Sequence, residues 1–168
     1  MAWILLGQGA SVLIETTLLW RWLPAAAVPD GALILTVLWG AFRGWAPGLI
    51  AGLAAGLMTS WVSAAPLGVP LVVFGAVGAC AGFVAAHFHR GSPWVIGGMM
   101  VGSTVLAFAL TILALQAAGW PLAVNRQFLI ELGARTVLNT ILALAATPLV
   151  SALAPAPGVV SPVVGARA

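Results

Sequence analysis

The chain has 168 residues, of which 62% are hydrophobic and 5% are charged, and its formal net charge is +3. A soluble globular domain carries about a quarter charged residues, so this composition excludes a water-soluble domain and predicts an integral membrane protein surrounded by lipids. The six basic residues are arginines scattered singly along the chain. Nucleic-acid binding needs basic residues clustered on one face, and nucleic acid is therefore excluded as a partner.

Six apolar segments follow one another along the chain, and together they predict an all-α bundle of about six transmembrane helices. Each crossing of the hydrocarbon core takes about 20 residues at 1.5 Å per residue. The segments form one membrane domain at residues 1–154, and the Pro, Gly and Ala content of residues 155–168 predicts a disordered tail. The segments occupy residues 3–23, 31–42, 47–62, 69–87, 94–118 and 128–153.

The second segment is the shortest of the six. Residues 31–42 rise only about 18 Å as a helix, which is less than the hydrocarbon thickness. Either this helix begins earlier, near Pro24, or it packs against its neighbours without crossing fully. Asp30 directly precedes the segment and is placed to cap its first turn.

Tryptophan and arginine side chains mark the ends of the segments. Tryptophan prefers the membrane interface, and seven of the eight lie near a predicted boundary: Trp20, Trp22, Trp39, Trp45, Trp61, Trp94 and Trp120. With six crossings, the side that holds both termini carries Arg43, Arg90 and Arg167, and the other side carries Arg21 and Arg126. The positive-inside rule then predicts both termini in the cytoplasm.

Glycines recur every four residues in two places. Gly44, Gly48, Gly52 and Gly56 fall on nearly one line of the third helix and leave a groove without side chains. Gly98 and Gly102 repeat this spacing on the fifth helix. Small residues let two membrane helices approach closely. The first groove therefore predicts that another helix covers it, either from the same chain or from a partner.

Polar side chains inside the membrane segments are few. An ionised group costs at least about 2.5 kcal/mol there, so it is usually paired, near an end, or functional. Glu131, Arg135 and Asn139 recur every four residues and form one stripe on the last helix. One hypothesis pairs Glu131 with Arg135 within that helix, and a second brings Glu15 of the first segment to Arg135. A third, an ion or proton pathway, would need more acidic groups in register.

No arrangement typical of an active site is present in the sequence. It contains no paired carboxylates, no Ser/His/Asp set and no phosphate-binding loop with a lysine, so we expect neither catalysis nor a cofactor. His87 and His89 would point about 200° apart on a helix, which argues against a shared metal. Cys80 is the only cysteine and lies in an apolar run, where we expect a small buried side chain.

The order of these features resembles the MreD family of bacterial rod shape-determining proteins. The resemblance covers roughly residues 25–153. It rests on Pro29-Asp30, Arg43-Gly44, Gly56-Leu57-Met58, Ser63, Pro66-Leu67-Gly68, Arg135-Thr136-Val137-Leu138-Asn139 and Pro148. The sequence departs from the family at Ser60, where its members commonly have an aspartate near the end of the glycine-rich helix.

The resemblance implies a non-enzymatic scaffold in the bacterial cytoplasmic membrane. Such a subunit would work in lateral cell-wall elongation with MreC, a protein with one membrane helix, and with other membrane proteins of that complex. It also implies a fold similar to the substrate-binding subunits of energy-coupling factor vitamin transporters. The docking face would be either glycine groove, and Gly52→Leu would then abolish partner binding and leave membrane insertion intact.

Two other functions remain open on the sequence alone. A substrate-binding subunit of a vitamin or metal transporter needs convergent polar groups, for which Glu15, Thr16, Thr17 and Asn139 are the candidates. A structural homo-oligomer is equally compatible with a glycine groove, because a second copy of the chain can fill it.

Overall fold

The computed structural model describes residues 2–14, 28–63, 66, 68–88, 92–120 and 125–153, and the ordered elements in these ranges are all α-helices. Glu15 and the second half of the first predicted segment lie outside the described residues, as does the predicted tail at residues 155–168. The later five helices start within two residues of their predicted positions and end within one. The helices are α1 Ala2–Ile14, α2 Gly31–Arg43, α3 Trp45–Val62, α4 Gly68–His87, α5 Pro93–Ala117 and α6 Arg126–Leu153.

Four of these helices, α3 to α6, are long and apolar enough to cross a membrane. Their outward faces carry large exposed hydrophobic side chains, such as Val72 and Phe83 on α4 and Leu113 on α5. Such faces are stable in lipid, where the backbone satisfies its hydrogen bonds within each helix. The fold is therefore that of an all-helical membrane protein.

The short helix α2 lies at the centre of the bundle. Asp30 caps it as predicted: its Oδ1 accepts a hydrogen bond of 2.8 Å from the backbone N–H of Leu33. Ten of its thirteen residues are buried, and Leu33 and Leu38 are almost completely inaccessible. Of the two alternatives for the second segment, the one in which a short helix packs against its neighbours is therefore correct.

Burial of α2 also changes the assignment of one tryptophan. Trp39 is only 8% exposed, so its ring packs inside the fold and not on the outer surface of the bundle. Trp45, Trp61 and Trp94 are more than half exposed and lie at the ends of α3 or α5, as expected for interfacial side chains. The difference arises because α2 packs against other helices and ten of its thirteen residues are buried.

Gly44 alone connects α2 to α3. Its φ of 100° and ψ of 179° lie in a region that is essentially restricted to glycine, and these angles reverse the chain in one residue. The two helices form a tight hairpin in which Gly48 of α3 approaches the Cα of Gly40. The predicted groove therefore loses its first member, because Gly44 precedes the helix and is needed for its backbone conformation.

The most extensive helix contact in the fold joins α3 to α4. Gly48, Gly52 and Gly56 form the surface of α3 at this contact, and all three are buried. A Cβ atom at any of them would overlap a backbone oxygen of α4, at Gly78, Phe74 and Pro70 respectively. The glycines let the two backbones touch, so this groove is covered by the chain itself.

Helix α1 packs against α2 and α3, where one polar side chain fixes its position. Gln8 is completely buried, and its Nε2 donates to Thr36 Oγ1 at 3.2 Å and to the backbone oxygen of Ala51 at 3.0 Å. These two bonds link three helices. Hydrogen bonds of this kind within membranes contribute about 0.6 kcal/mol on average.

Candidate functional site

An open groove runs between α4 and α5 and encloses a cavity of about 480 Å³. Small residues contribute to its lining, Ala81 on α4 together with Gly98 and Gly102 on α5, and the bulky Phe88 and Trp94 lie at the end where α4 leads into α5. The described residues that line it are uncharged. A groove lined by small residues can accept the side-chain ridge of another helix.

Gly98 and Gly102 differ from the glycines of α3 in their surroundings. Both are exposed, and a Cβ atom at either would meet nothing within 4 Å among the described residues. Helix α4 already covers Gly48, Gly52 and Gly56, so of the two coverings that the sequence allowed for this groove, the structure shows the one by the chain itself. Gly52→Leu would therefore separate α3 from α4 and does not isolate the binding of a partner.

Cys80 lies on the edge of the open groove. It is exposed, so the prediction of a small buried side chain is wrong. The prediction placed Cys80 on the wrong side of helix α4. The adjacent Ala81 faces the core, whereas Cys80 points toward the gap beside α5.

A second cavity, of about 290 Å³, lies between the start of α2, the second half of α5 and the start of α6. Asn139 is buried at its floor. Its Oδ1 accepts a 2.9 Å hydrogen bond from the backbone N–H of Asp30, and its Nδ2 donates to Thr104 Oγ1 at 3.4 Å. Asn139 thus joins three helices and holds the first turn of α2 against α5 and α6.

Glu131 and Arg135 lie one turn apart on the wall of this second cavity. Glu131 Oε1 accepts a 3.4 Å hydrogen bond from Gln127 Nε2, one turn earlier on the same helix, and the pairing of Glu131 with Arg135 stays a prediction. Arg135 and Asp30, which carry opposite charges, both line this cavity. The alternative pairing of Arg135 with Glu15 remains a prediction, because Glu15 is outside the described residues.

The remaining candidate positions have local partners. Ser60 is buried, and its hydroxyl donates to the backbone oxygen of Gly56 at 2.6 Å within the same helix. His87 Nδ1 lies 3.0 Å from the backbone oxygen of Phe83. Within the described part of the chain, no three His, Cys, Asp or Glu side chains are grouped closely enough to hold a metal ion.

Some of the residues that shape these sites were missed by the sequence reasoning. Gly78 and Gly82 of α4 repeat the four-residue spacing and pack against the backbone of Gly48 and Gly44, so the sequence did contain their signal. No sequence signal marks Thr104, because a single threonine in an apolar helix usually bonds to the backbone of its own helix, as this one also does. Its second role, as the acceptor for Asn139, depends on the packing of α5 against α6.

The fold and these two cavities define a class: a helical membrane protein with an uncharged external groove and a separate polar cavity. No protein-family model matches the chain, and the comparisons with curated proteins and with solved structures found no match. The likeness to the MreD family consequently remains a resemblance of short motifs.

Proposed function

We propose that this chain is a non-enzymatic scaffold of the bacterial cell-wall elongation machinery, which docks the single membrane helix of MreC in the open groove between α4 and α5. The choice of partner rests on the motifs that resemble MreD. The choice of surface rests on the structure, and the observation that carries it is the open environment of Gly98 and Gly102.

An open pair of glycines on a membrane helix has an energetic cost. Each glycine destabilises a helix interior by about 1 kcal/mol relative to alanine, and against lipid it gains nothing in packing. Gly48, Gly52 and Gly56 offset that cost through the close approach of α4. A helix seated on Gly98 and Gly102 would offset it in the same way.

The dimensions of the groove favour a helix over a compact ligand. Along α5 it is lined from Trp94 to Leu106, which corresponds to about 18 Å, or three turns of a partner helix. Its lining is almost entirely apolar, with Ser103 as the polar residue of α5. It lacks the convergent polar groups that orient a small ligand.

Substitution of the open glycines tests this proposal directly. Gly98→Leu and Gly102→Leu would fill the floor of the groove, and Gly133→Leu is the matched control. Gly133 is also exposed on a helix, with nothing within 4 Å of a Cβ atom, but it lies on α6 outside the groove. We expect the two groove variants to be inserted normally. The amount of MreC that co-purifies with them from native membranes in mild detergent should fall at least tenfold.

The outcomes of this experiment separate the possible functions. Equal recovery of MreC with all three variants would reject the groove as its docking site. A second copy of this chain recovered in place of MreC would indicate a homo-oligomer. Recovery of paired ATPases with another multispan subunit would indicate the alternative function, a substrate-binding subunit of an energy-coupling factor type transporter.

A further inference from the structure

Ser103 lines the open groove between α4 and α5, and its hydroxyl has no hydrogen-bond partner among the described residues. The residue is only 8% exposed. A serine or threonine within a helix often donates to the backbone oxygen four residues earlier. On the same helix, Thr104 donates in this way to Met100 at 2.9 Å and Thr111 to Ala107 at 2.8 Å. Ser103 differs from both, because its hydroxyl is buried and makes no such bond.

The groove itself offers Ser103 little to bond with. Met99, Ser103 and Leu106 line it at intervals of four and three residues, so they lie on one face of α5. On the α4 side, Cys80 is the lining residue with a polar side-chain atom, and a thiol is a weak donor and acceptor. The described structure contains no bond between Cys80 and Ser103. A strong hydrogen bond to Ser103 therefore has to come from outside the fold.

A docked helix would make this need greater. A helix seated on Gly98 and Gly102 would cover the adjacent Ser103 and complete its burial. A buried hydroxyl without a partner is unfavourable, because the hydrocarbon region contains no water to bond with it. The described lining of the groove is also uncharged, so a charged group on the docked helix would find no counter-charge there. The matching group on that helix is therefore polar and neutral.

We propose that the helix docked in this groove carries a hydroxyl or carboxamide side chain, from serine, threonine, asparagine or glutamine, which forms a hydrogen bond with Ser103. This inference rests on the proposed function, because it takes the docked helix to be that of MreC. Gly98 and Gly102 determine how closely the two helices approach. The bond to Ser103 fixes the position of the partner helix along the groove, as a single buried polar residue fixes register in coiled coils.

Ser103→Ala tests the bond with little risk to the fold, since it removes one oxygen and adds no bulk. Hydrogen bonds between membrane helices are modest, so we expect the affinity for MreC to fall about threefold, and about twentyfold at most. The measurement is a titration of fluorescently labelled full-length MreC with the full chain in mild detergent. Thr111→Val is the control, because Thr111 bonds to the backbone of its own helix and lies outside the groove. It should bind MreC like the unmodified protein.

A double-mutant cycle identifies the residue on the partner. Each serine, threonine, asparagine and glutamine of the MreC membrane helix is replaced by alanine and combined with Ser103→Ala. At the position that bonds to Ser103, the second substitution should cause no further loss of affinity, because the bond is already broken. At every other position the two losses should be additive.

The outcomes separate this inference from the proposed function. Unchanged binding of MreC by Gly98→Leu would reject the groove as the docking site, and both proposals would fall. Loss of MreC by Gly98→Leu with normal binding by Ser103→Ala would leave the docking site in place and overturn only the inference. Equal losses for Ser103→Ala and Thr111→Val, or additive losses at every position of the MreC helix, would overturn it too.

Discussion

Two rows of glycine in this chain have the same spacing and opposite environments. On α3, Gly48, Gly52 and Gly56 lie against the backbone of α4, whereas Gly98 and Gly102 on α5 have no neighbour within 4 Å of a Cβ position among the described residues. The spacing only specifies that one helix face is smooth. Whether that face is used inside the fold or left for a partner depends on the surface that the rest of the chain offers to it.

The covered row is matched by a second glycine row. Gly78 and Gly82 of α4 lie against Gly48 and Gly44, so small residues face small residues across the contact. Gly98 and Gly102 meet no such row within the described chain. The glycine row on α3 therefore forms an interface within the fold, whereas the row on α5 is open to a partner. The stability of variants at the two rows tests this difference.

The largest effect is expected for Gly52→Leu. Its Cβ alone would overlap the backbone of Phe74, and no rotamer relieves a clash between a Cβ atom and a backbone. We expect a loss of about 3 kcal/mol or more in the free energy of unfolding, seen as aggregation in size-exclusion chromatography. Gly102→Leu is the control and should elute as a single folded species; similar profiles for the two would contradict the comparison.

Gly44→Ala is expected to have the next largest effect, for a different reason. A Cβ atom there would contact nothing within 4 Å, but the backbone conformation is one that glycine alone adopts readily. The expected cost is about 1–3 kcal/mol in the free energy of unfolding, measured by denaturation in mixed micelles. Gly44→Ser should cost the same, because the strain lies in the backbone; a cost that rises with side-chain size would instead indicate crowding.

Asn139→Leu should be destabilising by a similar or smaller amount. The substitution leaves the backbone N–H of Asp30 without its acceptor and removes the bond that Thr104 Oγ1 accepts, although this hydroxyl still donates to Met100, at a cost of about 1–3 kcal/mol. Thr140→Val on the same helix removes only a bond to its own backbone, at Thr136, and serves as the reference. Equal melting temperatures for the two variants would show that Asn139 does not hold α2 in place.

Gly102→Ala should have the smallest effect and the opposite sign. Alanine is the better helix former by about 1 kcal/mol and its methyl group has open space here, so the isolated protein should become slightly more stable. Gly56→Ala is the counterpart in the covered row, where the added methyl group would overlap Pro70. Destabilisation by both substitutions would mean that the groove on α5 is already filled by the chain.

Cys80 reports on the open groove without any change to the chain, because it is the only cysteine. We expect a membrane-permeant maleimide to label it in the purified protein and to label it at least tenfold more slowly once a partner helix is bound. Labelling that is unaffected by the partner would place that partner elsewhere. Complete resistance of the purified protein would contradict the exposure of Cys80.

The helices could be predicted from sequence because the signals that define them are local. Apolar runs, prolines and the Asp30 cap each act within a few residues, and five helices lie almost where they were expected. Which residues become buried could not be predicted. Trp39 and Trp45 are the same residue type near helix ends, and only the packing of α2 buries the first and leaves the second exposed.

The candidate sites depend even more on tertiary structure. The polar stripe on α6 identified Asn139, but not its bonds to Asp30 and Thr104, which lie 109 and 35 residues away. The spacing of Glu131 and Arg135 favoured an ion pair within the helix. The structure adds a contact that the spacing did not single out, a hydrogen bond to Glu131 from Gln127, which lies four residues away on the other side.

The single-residue connection at Gly44 has a consequence for the biogenesis of the protein. Helix α2 is about 20 Å long and too short to be recognised as a membrane segment by itself, yet it becomes the centre of the bundle. We expect α2 and α3 to enter the membrane together as a helical hairpin, with α3 supplying the apolar length.

A glycosylation reporter placed after Arg43 should therefore reveal no stable insertion of α2 unless α3 follows; stable insertion of α2 alone would refute this order of assembly. The most deeply buried of the described helices would thus owe its entry into the membrane to a turn made by a single residue.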